Sequence, residues 1–234
     1  MYYLNPIQLY EFLERKNIHH FHHANSVRTA CTFIENKGLF SRGSIERRGL
    51  VQTTQSSDAI DKEFDVWNDI FLDIVDLHGY FPRQNYYGPV CFVLDTKLLL
   101  DDKLPNICIT KDNPIYWNEE MSDEEKYYSS VDEYINNFDI ILKEHRLHSQ
   151  MFTIHNIDGR IPLKKYLIKI ILDNPRLKIG EIKLLEKSKQ KLVESLNASG
   201  ISDEILEIRK CQNCFCKDNY FNQVEVSELE KLFL

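Results

Sequence analysis

No apolar run in this 234-residue chain approaches the length that crosses a bilayer; the longest, around Val90 to Leu94, has the length of a buried strand. The first ten residues lack the basic start and apolar stretch of a secretory leader. The six cysteines, at 31, 91, 108, 211, 214 and 216, do not suggest a disulfide framework. These absences lead to the expectation of a cytoplasmic protein that makes no membrane contact. Also missing are a GxGxxG turn opening a helix and a GxxxxGK[ST] loop, so neither a dinucleotide Rossmann site nor a P-loop is expected. Positive charge is in deficit: 29 Lys and Arg stand against 36 Asp and Glu, a net charge of −7. That balance weakens broad electrostatic binding to duplex nucleic acid, which needs many phosphate contacts. A local basic stretch survives from Arg28 to Arg48, with Arg42, Arg47 and Arg48.

What is present is enough for a core. Apolar residues make up 43% of the chain and aromatics 12%, which sets it apart from disordered sequences. Apolar spacing predicts helices over Pro6–Lys16, Ala24–Asn36, Asp61–Asp76, Val131–Glu144, Ile179–Ser195, Ser202–Arg209 and Glu225–Leu234. Strands are predicted over Ile18–His22, Pro89–Asp95, Gln150–His155 and Leu167–Leu172. Ser41–Asp58 reads as a long loop, and such loops inside compact domains are often functional. Irregular strand spacing favours an α+β fold.

The segment Ile18–Arg42, IHHFHHANSVRTACTFIENKGLFSR, carries the most chemical information. It resembles the opening of the ADP-ribosyltransferase superfamily, specifically the DarT-like toxins that modify nucleic acids. The resemblance rests on His20, His22, His23, Asn25 and the Gly38-Leu39 pair, with His22 where the family usually has Thr. A second likeness lies in Leu77–Asp95, LHGYFPRQNYYGPVCFVLD, similar to the family's loop into its central strand. The resemblance implies a split, mostly antiparallel sheet with flanking helices. It implies a domain over residues 1–175 and a helical C-terminal extension over 176–234, packed on it. NAD would be the substrate, bound by His20, His22, His23 and Asn25, with Tyr86 and Tyr87 beside the nicotinamide. The family places a catalytic Arg in this region, for which Arg42, Arg47 and Arg48 are all candidates; Arg47 is the one assigned to stabilise the pyrophosphate or the transition state. Gln150 would stand where the family has Glu, with His148 as a nearby proton acceptor; Gln can hold a ribose hydroxyl but cannot act as a base. The acceptor would be a base in single-stranded DNA or RNA, in a bacterial toxin or anti-phage effector. An antitoxin protein would dock on the acidic helices of 201–234.

Other readings stay open. The absence of the family Glu suits a degenerate domain that binds NAD, a nucleotide or a phage component without turnover, and the acidic charge suits a protein-directed transferase. Asp69, Asp73 and Asp76 at helical spacing, with the histidines, would suit a metal-dependent nuclease. No metal is assigned to the site. Cys211, Cys214 and Cys216, in CQNCFC, read either as free thiols or as half of a zinc or redox site whose remaining ligand is not identified. His78 lies near the expected nicotinamide slot and ranks behind the other candidates.

Overall fold

Seven strands form one sheet in a computed structural model that describes residues 1–104 and 106–234. They are β1 (His20–Asn25), β2 (Ile70–Asp73), β3 (Val90–Asp95), β4 (Ile107–Ile109), β5 (Met151–Ile154), β6 (Leu167–Leu172) and β7 (Leu206–Ile208). Their order across the sheet is β7-β6-β3-β1-β2-β5-β4. Every pairing is antiparallel except that of β7 with β6. The continuous apolar run of β3 reflects its central place, paired on both edges and buried from Val90 to Leu94.

The sheet is nearly divided at one place. β1 pairs with β3 along its whole length, through six residue pairs, but meets β2 through a single pair, His22 with Asp73. Beside that junction a side chain does what backbone would otherwise do: His23 Nδ1 donates to the Phe71 carbonyl at 2.9 Å. A cavity opens at this parting.

The labelled helices are α1 (Pro6–Arg15), α2 (Val27–Glu35), α3 (Arg42–Arg47), α4 (Asp58–Glu63), α5 (Leu77–Tyr80), α6 (Val131–Lys143), α7 (Leu184–Ser199), α8 (Cys216–Gln223) and α9 (Val226–Phe233). Helix α2 buries Ala30, Phe33 and Ile34 against the sheet, where Phe33 meets Phe92 edge to face at 5.9 Å. Phe12 of α1 and Phe138 of α6 meet edge to face at 5.0 Å. Gly200, at φ +67°, ends α7 in the left-handed conformation that glycine adopts without a Cβ penalty.

Three expectations are corrected. Asp61–Asp76 is not one helix: α4 ends at Glu63 and β2 follows, with Ile70 and Leu72 buried towards the core. The apolar positions 64, 67, 70, 71 and 74 fit a helical stripe, but sheet pairing with β1 and β5 decides the conformation. Ser202–Arg209 carries a short 3-10 turn and then β7, because Leu206 and Ile208 extend the sheet beside Ile170 and Leu172. The segment 176–234 is therefore not purely helical, and Leu192 and Leu196 of α7 belong to the main core. Ser41–Asp58 is not all loop, since Ser41 caps α3 by accepting from the Ser44 N–H at 3.2 Å.

Among the described residues no helix is long and apolar enough to cross a membrane.

Candidate functional site

The cavity at the parting has an inner and an outer chamber. Residues of β1, α2, α3, α4 and β2 line the inner one, with Tyr87, Asn113 and Met151 closing it. Its volume is about 80 Å³. The outer chamber is lined by Phe81, Arg83, Tyr86, Tyr116, His148 and Lys231, among others. Gln55, Tyr87 and Asn113 belong to both, so the chambers are contiguous.

The walls are built locally. Ser26 caps α2, accepting from the Thr29 N–H at 3.3 Å and donating to Thr53 Oγ1 at 2.6 Å. Thr29 Oγ1 accepts from the Thr53 N–H at 2.9 Å, and Thr32 Oγ1 donates to the Val51 carbonyl at 2.7 Å. These bonds pin the loop after α3 to α2, so Gln52, Gln55 and Ser57 face the inner chamber from a fixed backbone. On the other side Gly88 packs its backbone against Asn25 and Ser26, at φ +142°, where a Cβ would collide with the Asn25 carbonyl group. Only glycine lets the Phe81–Gly88 loop approach this closely.

Four buried polar atoms on residues that line the inner chamber have no partner among the described residues: His23 Nε2, Arg42 Nη1, Gln52 Oε1 and Asp73 Oδ1. Buried polar atoms are nearly always satisfied, so a cluster of exceptions in one cavity points to a ligand. His23 donates through Nδ1 to a carbonyl, which leaves Nε2 as an acceptor. Burial lowers its pKa to about 4, so the ring is neutral at pH 7. Arg42 is held on Asp58 (Nε to Oδ1, 2.7 Å) and on the Thr53 carbonyl (2.9 Å), which aims its remaining nitrogen.

The chamber also gathers carboxyls in low dielectric. Burial pushes Asp73 up to about 8 and Asp61 up to about 6, and it raises Asp69 as well. Asp69 is the best satisfied, accepting from His155 Nδ1 at 3.0 Å and from the Asn156 N–H at 2.8 Å. Asp69, Phe71 and Asp73 all line the cavity, alternating along the chain with the buried Ile70 and Leu72. Burial likewise raises the Tyr87 hydroxyl to about 12, and that hydroxyl accepts from Asn113 Nδ2 at 2.9 Å.

Of the residues expected at the site, His23, Asn25 and Tyr87 line the inner chamber; Tyr87 also lines the outer one, with Tyr86 and His148. Asn25 accepts from the Ser26 N–H at 3.0 Å, so Ser26 is the helix cap and Asn25 shapes the strand end. His148 packs against the rings of Tyr80 and Phe81, and burial lowers its pKa. His20 is exposed at the far end of β1, and His22 lies opposite Asp73; neither lines a chamber. The part of β1 that lines the inner chamber is its C-terminal half, His23 to Asn25.

Of the three arginine candidates, Arg42 lines the inner chamber and Arg47 lines neither chamber. Five residues apart on α3, the two point about 140° apart; Arg47 bonds Asn68 and Asp158 outside the cavity. Gln150 lines neither chamber; it is buried just before β5, donating to the Lys111 carbonyl at 3.2 Å. Asp73, which pairs across the sheet with Met151, the residue after Gln150, lines the inner chamber. As part of a strand, Asp73 shares the cavity side of β2 with Asp69 and Phe71 instead of a helix face with Asp76. The supposed Asp69–Asp73–Asp76 helix face does not exist, since Ile70–Asp73 is a strand; Asp76 is engaged by Arg209 and lines neither chamber. Outside the cavity, His78 lies with Cys211, Cys214 and Cys216.

No family model matches the chain, and no curated protein matches it significantly.

Proposed function

We propose that the double chamber binds NAD and that the chain transfers ADP-ribose from it to a nucleic-acid base, releasing nicotinamide. The observation that carries this reading is the presence of partnerless polar atoms and raised carboxyls on residues that line one cavity. Three of the four atoms accept hydrogen bonds when Asp73 is ionised, and one donates. That set suits a ligand with ribose hydroxyls, a carboxamide and a positive charge. The nicotinamide ring of NAD is cationic, and the sugar becomes oxocarbenium-like as the C1′–N bond breaks and its electron pair leaves with nicotinamide. A buried Asp73, held protonated in the empty cavity, ionises when that cation arrives and faces the developing charge. Tyr87 flanks the ring, His23 Nε2 accepts from a ribose hydroxyl, and Arg42 Nη1 holds a polar oxygen.

The outer chamber supports a base as acceptor. Tyr86, Tyr116, Phe81 and His148 offer ring faces for stacking, and Arg83 and Lys231 offer charge to a phosphate. Arg83 lies over the Tyr86 ring at 3.9 Å. The bond formed joins C1′ to a base nitrogen or carbon, whose proton passes to solvent or to a neighbouring base.

Incubation with NAD labelled on the adenylate phosphate, and with separate pools of single-stranded DNA, RNA and protein, tests this. Label is expected in a nucleic-acid pool, lost in His23→Ala and Asp73→Asn and kept in His20→Ala. Label in the protein pool alone would replace the acceptor. NAD binding with no label in any pool would make the chain a sensor. Absence of binding would refute the reading.

A further inference from the structure

Cys211, Cys214 and Cys216 lie between β7 and the start of α8, and α5 brings His78 to them from more than 130 residues away in sequence. The four donor atoms all lie within 4.8 Å of one another. His78 Nε2 is 3.2 Å from Cys214 Sγ and 3.4 Å from Cys211 Sγ, and Cys216 Sγ is 3.7 Å from Cys211 Sγ. A tetrahedral zinc with bonds of about 2.3 Å to sulfur and about 2.0 Å to nitrogen sets its sulfurs roughly 3.8 Å apart and each sulfur roughly 3.5 Å from the nitrogen. Those three separations match these spacings to within about 0.3 Å, and the other donor pairs stay within 4.8 Å. None of the three cysteines is in a disulfide.

The surroundings point the same way. His78 Nδ1 donates to Asp173 Oδ2 at 2.7 Å, which fixes the tautomer and turns the Nε2 lone pair to the sulfurs. A histidine ligand backed by a carboxylate is the usual support of a protein zinc site. Asp173 is held in turn by Arg209 Nε at 2.6 Å and by the Tyr220 hydroxyl at 3.2 Å. The Cys216 N–H donates to Cys214 Sγ at 3.4 Å, a bond that stabilises a thiolate. Cys216 and His78 are buried and the other two cysteines half-buried.

We propose that His78, Cys211, Cys214 and Cys216 bind one zinc ion at a closed, structural Cys3His site. All four positions are filled from the chain, so none is left for substrate. The ion joins two parts of the molecule. Behind Cys216 stands the small C-terminal core of Leu184, Tyr220, Leu229 and Phe233. Ahead of His78 runs the Phe81–Gly88 loop that carries Tyr86 and Tyr87. Two further bonds span the same gap: the Phe215 N–H donates to the Pro82 carbonyl at 2.8 Å, and Asn219 Nδ2 donates to Gln84 Oε1 at 2.9 Å. Zinc therefore holds the loop that walls the cavity, whatever the cavity binds.

Metal content of the full chain, purified under reducing conditions without chelator or metal-affinity resin, gives the test. One zinc per chain is expected, falling at least tenfold in Cys214→Ser and in His78→Ala. Should those variants fail to fold, replacement of zinc by cobalt(II) in the unmodified chain decides: intense tetrahedral d–d bands with thiolate-to-metal charge transfer support the site. A chain that purifies without zinc and takes up neither ion when reduced overturns the proposal. So does a cobalt spectrum lacking thiolate bands, a folded Cys214→Ser variant with full zinc, or a thiol count showing two of these cysteines in a disulfide.

Discussion

Asp73 and His23 face the same cavity and shift stability with pH in opposite directions. Asp73 has its pKa raised to about 8 by burial. Between about pH 4 and pH 8 the unfolded chain has lost that proton and the native state keeps it, so stability falls as pH rises through this window and is level above it. Asp73→Asn removes the effect. At pH 8 the variant is expected to be more stable than the wild type by a few kcal/mol, at about 1.4 kcal/mol per pK unit, with the gain shrinking towards pH 4. Urea unfolding at pH 5, 7 and 8.5 checks this, and a gain that does not grow with pH would contradict it. For His23 the pKa is lowered to about 4. Its contribution is present above the unfolded value near 6.5 and is lost as pH falls from there to 4; His23→Gln flattens this acid limb in the same titration. NAD binding at pH 7 to 7.5 should release protons as the cationic ring ionises Asp73. Calorimetry in buffers of different ionisation enthalpy reads that release, and Asp73→Asn should abolish it. His23, Asn25 and Tyr87 were legible in the sequence because short motifs held them. Asp73 and Arg42 also stood among the candidates, but their place in this cavity depends on which face of a strand or helix turns inward, and only pairing and packing decide that.

Elements with one dominant signal were also legible. Val90–Asp95 and Leu167–Leu172 are strands because nothing but a doubly paired or well-covered position suits such runs. Helices α1, α2 and α6 follow from their apolar stripes; the caps, Asn5, Ser26 and Ser130, are seen only in the structure. Residues 61–76 carried two compatible periods, and long-range pairing chose the strand. Gly79–Gly88 reads as a loop from sequence; Gly79 and Tyr80 belong to α5 and the remainder is a loop whose seat depends on one position. Gly88→Ala places a Cβ against the Asn25 carbonyl group at a φ that L-residues rarely adopt. It is expected to cost about 1–3 kcal/mol and to weaken ligand binding by moving Tyr87. Thermal unfolding and a binding titration would show both effects together, and a variant with wild-type values in each would show that the loop yields freely.

Over the whole molecule, the division at residue 175 does not mark an independent unit. Helix α7 supplies Leu192 and Leu196 to the main core, and β7 completes the sheet beside β6. A fragment ending at 175 is therefore expected to lose its cooperative thermal transition; a sharp calorimetric peak from it would refute this. Sequence order concealed the arrangement, because a three-residue edge strand has almost no pattern of its own. The single pair that joins β1 to β2 has a further consequence. It makes a seam between two half-sheets, β7-β6-β3-β1 and β2-β5-β4, and the inner chamber draws His23 and Asn25 from one bank and Asp73 and Met151 from the other. A ligand seated there stitches the banks together, so amide exchange should slow along β2 and β5 as much as along β1.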